Sequence, residues 1–207
     1  MERGKKLNLT LYIVDDDEGV RSALVTLLVA RGYRIQAFGS GEDFLGSVNV
    51  SSPGCVLLDL RMEGMSGLQV HDELVRLESP LKVLFLSGHG DIPTAVESTR
   101  KGAVDWLVKG LPDAVFIDKV DRAMEAAEQS AGYLQERIEV MERWNSLTPR
   151  ERDVALLVRH NWANKLIAEE LQIGVRAVET HRARVYEKLW VSNPVELDRM
   201  VREYKLA

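Results

Sequence analysis

Short β-branched runs alternate with longer amphipathic stretches along the first part of the chain, and the two periodicities predict different elements. Residues 11–14 (LYIV) read as a buried strand and residues 19–31 as a helix with Val20, Leu24, Leu27 and Leu28 on its apolar face. A second strand is predicted at 33–38, a short helix at 41–45, a strand at 55–58 and a helix at 68–77. A strand at 82–86, a helix at 94–101 and a strand at 104–108 follow. Strands and helices in strict alternation predict a parallel sheet covered on both faces, with ligands gathering beyond the carboxyl ends of the strands.

After Pro112 the period changes. Ile117, Val120, Met124, Ala127, Ala131, Leu134, Ile138 and Met141 follow one another in steps of three and four, the seam of a heptad repeat on one long helix. Only Gly132 weakens that helix, by about 1 kcal/mol relative to Ala. Two uses of the seam stay open: its first half packs on the sheet and the rest is a solvated rod, or the seam continues into a dimerising coiled coil flanked by Gln135 and Glu136. Next, Thr148 is placed to cap a helix, Pro149 suits its first position and Glu151 completes a capping box. That helix is expected to reach His160; a second runs from 163 or 164 to 171, a third spans 175–189, and Ser192-Asn193-Pro194 opens a fourth ending near Tyr204. Gly174 is read as marking the turn between the second and third, the signal of a helix-turn-helix.

At 207 residues the chain suits one large domain or two small ones, and 45% apolar with 29% charged residues excludes a disordered or collagen-like protein. Charge separates the two parts. Residues 147–207 carry 11 Lys and Arg against 9 Asp and Glu, net +2, which leaves 16 against 23, net −7, for residues 1–146. An acidic front and a mildly basic tail point to different partners. The apolar runs are far too short for a bilayer span, and Asp15, Asp16 and Asp17 cut the first one before it resembles a signal peptide, so a cytoplasmic protein is expected. The lone Cys55, inside CVLLDL, reads as a core thiol of a reducing compartment.

Chemistry enters at the strand ends. Asp15 and Asp16 follow the first predicted strand, Asp59 the third, Ser87 the fourth and Lys109 the fifth, so a parallel sheet brings all of them to one edge. Crowded carboxylates repel and recruit a cation, and oxygen ligands with room for water suit Mg2+. One carboxylate is then placed to attack phosphorus and form an aspartyl phosphate, with Lys109 and Ser87 holding the other phosphoryl oxygens.

The strings YIVDDDEGVR, VLLDLRMEGMSGLQ, VLFLSGHGDIPTAV and KGAVDWLVKG resemble the receiver domain of two-component response regulators. The stretch LTPRERDVALLVRHNWANKLIAEELQIGVRAVETHRARVYEKL resembles the LuxR-type helix-turn-helix domain of the NarL/FixJ subfamily. The resemblance implies an α/β receiver, a doubly wound (βα)5 sheet of order 2-1-3-4-5 over residues 1–125, a linker helix at 126–145 and an all-α four-helix DNA-binding domain at 146–207. It makes Asp59 the acceptor of a phosphoryl group from a histidine kinase, with Asp15, Asp16, Asp59 and the backbone carbonyl of Arg61 as Mg2+ ligands. It makes Ser87 and Lys109 phosphoryl-binding residues and Trp106 the aromatic switch that turns when Ser87 is drawn inward, altering the face of the fourth helix, fifth strand and fifth helix. The chain departs from the family pattern at Glu63 and Gly110, where prolines are usual, which bears on Mg2+ affinity and phosphoryl lifetime. His89 and Arg61 flank the expected path of water to the phosphoryl group, with loop packing the other reading of His89; His71 and His160 have no ligand-spaced partner and read as packing or surface residues.

On the third tail helix, Val178, Val185 and Leu189 form a core stripe and the remainder is cationic. Arg176, Glu179, Thr180 and Ala183 are the candidate readers of base edges; Arg182, Arg184, Lys188, Asn164 and Lys165 are candidates for phosphates. The small charge excess makes a single copy a weak binder, so a homodimer on paired half-sites of promoter DNA is expected, with dimer contact assigned by the resemblance to the last helix and RNA polymerase as a further partner. The expected function is a phosphorylation-dependent transcriptional regulator, not a turnover enzyme; the alternative is a constitutive DNA-binding regulator with a degenerate receiver. A haloacid-dehalogenase-type hydrolase would need an acid two positions after Asp59, where Arg61 stands.

Overall fold

The computed structural model describes residues 9–88 and 102–207, in two compact units, Met1–Gly132 and Tyr133–Ala207. The helix expected at 94–101 and His89 lie outside the described residues.

The first unit contains β1 (Thr10–Val14), α1 (Glu18–Val29), β2 (Arg34–Phe38), α2 (Gly41–Ser47), β3 (Gly54–Asp59), α3 (Gly67–Arg76), β4 (Lys82–Ser87) and β5 (Asp105–Val108). Every strand pair is parallel and the order is β2-β1-β3-β4-β5, as expected. Successive strand residues point to opposite faces, and the core divides accordingly. Leu11, Ile13, Cys55, Leu57, Leu84, Leu86 and Leu107 face one side and meet Leu28 of α1. Tyr12, Val14, Val56, Leu58, Val83 and Phe85 face the other and meet Phe44, Val70 and Leu74 of α2 and α3. Each of these helices starts on a side-chain cap: Asp17 accepts from the Val20 amide, Ser40 from Asp43, and Ser66 forms a capping box with Gln69. Cys55 is fully buried, its thiol pushed up to about 12 by burial.

The long helix α4 (Asp113–Asn145) begins in this unit, where Phe116, Ile117, Val120 and Ala123 join the core on the α1 side. Its last turns belong to the second unit, whose core includes Val140 and Trp144. A solvated rod over the second half is therefore the wrong picture. In the turns that belong to the second unit the buried positions, Val140 and Trp144, lie off the heptad seam, while Ile138 and Met141, on it, are 52% and 37% exposed. The tail offers its apolar partners to a different face of the helix, and that choice is made by tertiary packing, not by the spacing of apolar residues along α4. No helix among the described residues is long and apolar enough to cross a membrane.

The second unit adds α5 (Pro149–Val158), α6 (Asn164–Leu171), α7 (Val175–Leu189) and α8 (Pro194–Glu203) around Val154, Val158, Ile167, Val178, Val185, Leu189, Leu197 and Val201. Thr148 and Glu151 form the expected capping box, and Asn193 caps α8. The turn before α7 differs from expectation. Gly174 has an ordinary φ of −68°, and the left-handed residue is Gln172, with φ 53°, which closes α6. A non-glycine residue there costs about 1–2 kcal/mol, only part of which glycine's larger unfolded-state freedom takes back. Gln172→Gly is thus expected to stabilise the tail by about 0.5–1 kcal/mol, read as a higher urea midpoint at unchanged m.

Candidate functional site

The strand order reverses beside β1, and the acidic residues flank that point. Asp15 and Asp16 follow β1, Asp59 ends the adjacent β3, and each offers a carboxylate oxygen within 4.8 Å of the others. Asp15 and Asp59 are buried, at 1% and 5% exposure, and Asp16 is exposed. Lys109, just past β5, spans the buried pair: its Nζ donates to Asp15 Oδ2 at 2.8 Å and Asp59 Oδ1 at 2.9 Å. The remaining acceptors are held by backbone. Asp15 Oδ1 accepts from the Asp17 amide at 2.9 Å, Asp59 Oδ2 from the Arg61 amide at 3.1 Å and Asp16 Oδ2 from the Glu63 amide at 2.9 Å. Ser87, buried at the end of β4, accepts the Lys109 amide on its carbonyl at 2.8 Å, tying two strand ends together. One β5 residue earlier than the buried Leu107, Trp106 lies half-buried against Phe85, ring centroids 4.8 Å apart.

Burial raises the Asp59 carboxyl above its ordinary range; the Lys109 hydrogen bond opposes this and the neighbouring Asp15 charge adds to it. For Lys109 burial acts downward, but its two carboxylate partners outweigh it and hold the ammonium above its usual value. Three carboxylates against one ammonium leave the pocket negative, and the donor set is oxygen alone with one solvent-facing member. That fits a hard divalent cation of the Mg2+ type. The two departures from the family pattern leave this arrangement standing: the Glu63 side chain is exposed while its amide serves Asp16, and Gly110 takes φ 92°, open to glycine but closed to proline. His71 is buried against Phe85 as a packing residue, and His160 is exposed.

In the tail, Arg176, Glu179, Thr180, Ala183 and Arg184 share the exposed face of α7, and Lys165 is exposed on α6. Arg182 and Asn164 are brought together: Nη1 of Arg182 donates to Asn164 Oδ1 at 3.0 Å, and its guanidinium also meets Tyr186. Lys188 is paired as well. Its Nζ donates to Glu151 Oε2 at 2.6 Å and to the Ser146 carbonyl at 3.1 Å, and Glu151 is only 2% exposed. The ammonium is engaged by a buried carboxylate, while the Lys188 side chain stays 34% exposed.

Residues 11–121 match the response regulator receiver domain family, and residues 145–201 the luxR family of bacterial regulatory proteins. The chain is a two-component response regulator with a LuxR-type output domain. It is 41% identical over 190 residues to the tetrathionate response regulatory protein TtrR of Salmonella typhimurium, covering 92% of this chain and 90% of that one. It is 35% identical to the transcriptional regulatory protein FixJ of Bradyrhizobium diazoefficiens, covering 92% and 93%. Among solved structures, the response regulator StyR superposes with a TM-score of 0.82 at 31% identity, covering 94% of this chain and 98% of that one. This is the NarL/FixJ subfamily of transcription factors, which are not enzymes; its receiver implies a histidine kinase partner and its output domain implies DNA.

Two residues important to this regulator were not singled out from sequence. Gly67, the first residue of α3, lies so close to the acidic site that a Cβ on it would stand 2.2 Å from the Asp59 carbonyl oxygen. Its approach to β3 has no signal in the sequence pattern. Arg21 donates to the Asp15 carbonyl at 2.7 Å from one turn into α1, a contact with no signal in the spacing.

Proposed function

We propose that Asp59 accepts a phosphoryl group from a histidine kinase and that this event governs promoter binding by the tail. The observation that carries the reading is the Asp15–Lys109–Asp59 bridge at the carboxyl edge of the sheet. An Asp59 carboxylate oxygen attacks phosphorus as the bond to the kinase imidazole nitrogen breaks, and that nitrogen leaves with the bonding pair. Lys109, already on Asp59 Oδ1, stays beside the transferred group as a fixed positive charge, and the Ser87 hydroxyl supplies a hydrogen bond. Asp15, Asp16, Asp59 and the Arg61 carbonyl would hold Mg2+, which when bound neutralises charge on the phosphoryl oxygens. Movement of Ser87 toward the phosphoryl group frees space for Trp106 to turn.

Residues 1–125 act as the receiver, 126–145 as the linker helix and 146–207 as the DNA reader. Arg176, Glu179, Thr180 and Ala183 read base edges, while Arg184, Lys165 and the Arg182–Asn164 pair meet phosphates. The working form is a cytoplasmic homodimer on paired half-sites, in contact with RNA polymerase. The test is to incubate the full chain with Mg2+ and acetyl phosphate, map the acid-stable, base-labile modification by peptide mass, and follow Trp fluorescence and promoter affinity. Modification confined to the peptide holding Asp59, with a fluorescence change and tighter DNA binding, is expected. Unmodified protein that binds DNA equally well with and without donor would return the regulator to constitutive binding.

A further inference from the structure

The end of α4 carries apolar residues that its own chain leaves uncovered. Ile138 and Met141 are 52% and 37% exposed, Leu134 is half-buried and Asn145 is exposed. Their spacing continues the heptad seam, with Leu134 and Met141 at d and Ile138 and Asn145 at a. The tail unit uses the opposite side. Tyr133 stacks on Tyr204 with centroids 6.1 Å apart, Val140 and Trp144 enter the core, and Arg143 lies 4.4 Å over Trp190. These occupy c, f and g, so tail packing fixes the helix and points a and d outward.

We propose that this face is a parallel two-stranded coiled-coil seam whose occupant is the same face of a second copy of the chain. Three observations select that occupant. A β-branched residue at a with Leu at d is the two-stranded combination, and an Asn at a is a register-setting residue of parallel dimers. Charge is complementary across such a pair: Arg137 at g of one helix meets Glu142 at e of the next heptad on the other, twice by symmetry. Both side chains are exposed, and neither makes an ion pair with a described residue. The helix is already ordered by its tail contacts, so association does not carry the cost of folding it. Two heptads bury little surface, so the seam is weak alone and gains when a second contact raises the local concentration of the partner helix. The proposal deepens the homodimer reading above and rests on it only for the phosphorylated state that favours closure.

The test uses the full chain. Cys55 is buried, so Ile138→Cys and Glu139→Cys each introduce one reactive thiol. Under air oxidation with beryllofluoride and Mg2+, Ile138→Cys is expected to form an interchain disulfide, because parallel a positions bring the two Cα atoms into bonding range, and Glu139→Cys is not. Arg137→Glu sets like charges at both pairs and is expected to raise the dimer dissociation constant by sedimentation about tenfold; adding Glu142→Arg restores it. Ile138→Lys is expected to weaken the dimer without lowering the melting temperature, since its side chain is not in the core. A beryllofluoride-driven dimer unmoved by Ile138→Lys and Arg137→Glu would overturn the seam and leave the phosphoswitch intact. In-register crosslinking at 138 regardless of beryllofluoride would uphold the seam and remove its phosphoryl control.

Discussion

Asp59→Asn is expected to abolish phosphoryl uptake and, with a chelator present, to raise the melting temperature of the receiver unit at neutral pH. The uptake result follows from chemistry: an amide oxygen is too weak a nucleophile to displace imidazole from phosphorus. The stability result follows from electrostatics. Asp59 is 5% exposed, and burial together with the Asp15 charge raises its carboxyl despite the Lys109 hydrogen bond, so the folded state disfavours the ionised form. A carboxyl raised on folding adds stability below its unfolded value, near 3.8, and loses that stability as pH rises through the folded value. The ionised carboxylate is thus the form that burial penalises, and it is the form present above the folded value. Asn has no proton to release, keeps an oxygen for the Arg61 amide, and leaves Lys109 on Asp15. The expected gain is a few °C, the effect of about 1 kcal/mol in a domain of this size. The gain should shrink as pH falls toward the unfolded value. A variant that melts lower than wild type at neutral pH would show that the Lys109 contact, not burial, governs Asp59.

How much of this site was legible depended on which physical effect places each residue. The period-two strands and their caps are local, and they brought Asp15, Asp59, Ser87 and Lys109 to one edge as expected, because strand ends in a parallel sheet share a side whatever the loops do. The bridging contacts of Lys109 follow once that edge exists. What the spacing of residues could not convey is competition between alternative partners. The seam of α4 is regular through Met141, yet Val140 and Trp144 are taken into the tail core and Ile138 is left outside. The cation of Lys188 looked like its neighbours Arg182 and Arg184 until Glu151, 37 residues away, proved to be its partner. Gln172, not Gly174, took the left-handed position, because the hydrogen-bond geometry at the end of α6 set where the chain had to reverse.

The Glu151–Lys188 pair yields the second large expectation, a loss of about 2–3 kcal/mol from the tail unit for either Glu151→Ala or Lys188→Met. Breaking a buried pair by removing one partner usually costs about 3–5 kcal/mol, discounted here because the Lys188 side chain is 34% exposed and water screens it. Glu151→Ala also deletes the acceptor of the Thr148 amide, opening the capping box of α5. Burial opposes the charge of Glu151, but Lys188 and Thr148 outweigh it and hold the carboxyl below its ordinary value. A carboxyl lowered on folding contributes its stability above the unfolded value, near 4.5, and loses it as pH falls through the folded value. The difference between wild type and Glu151→Ala should therefore be full at neutral pH and narrow on acidification. DNA binding separates Lys188 from its neighbours on α7. If its ammonium serves the fold, Lys188→Met lowers the melting temperature but leaves the slope of log affinity against log salt unchanged, measured below the melting transition. Arg184→Ala, on the exposed face, should do the reverse, reducing that slope by about one with little effect on melting. A slope reduced equally by both substitutions would mean that Lys188 exchanges Glu151 for a phosphate on DNA, and that the internal pair is one of two states.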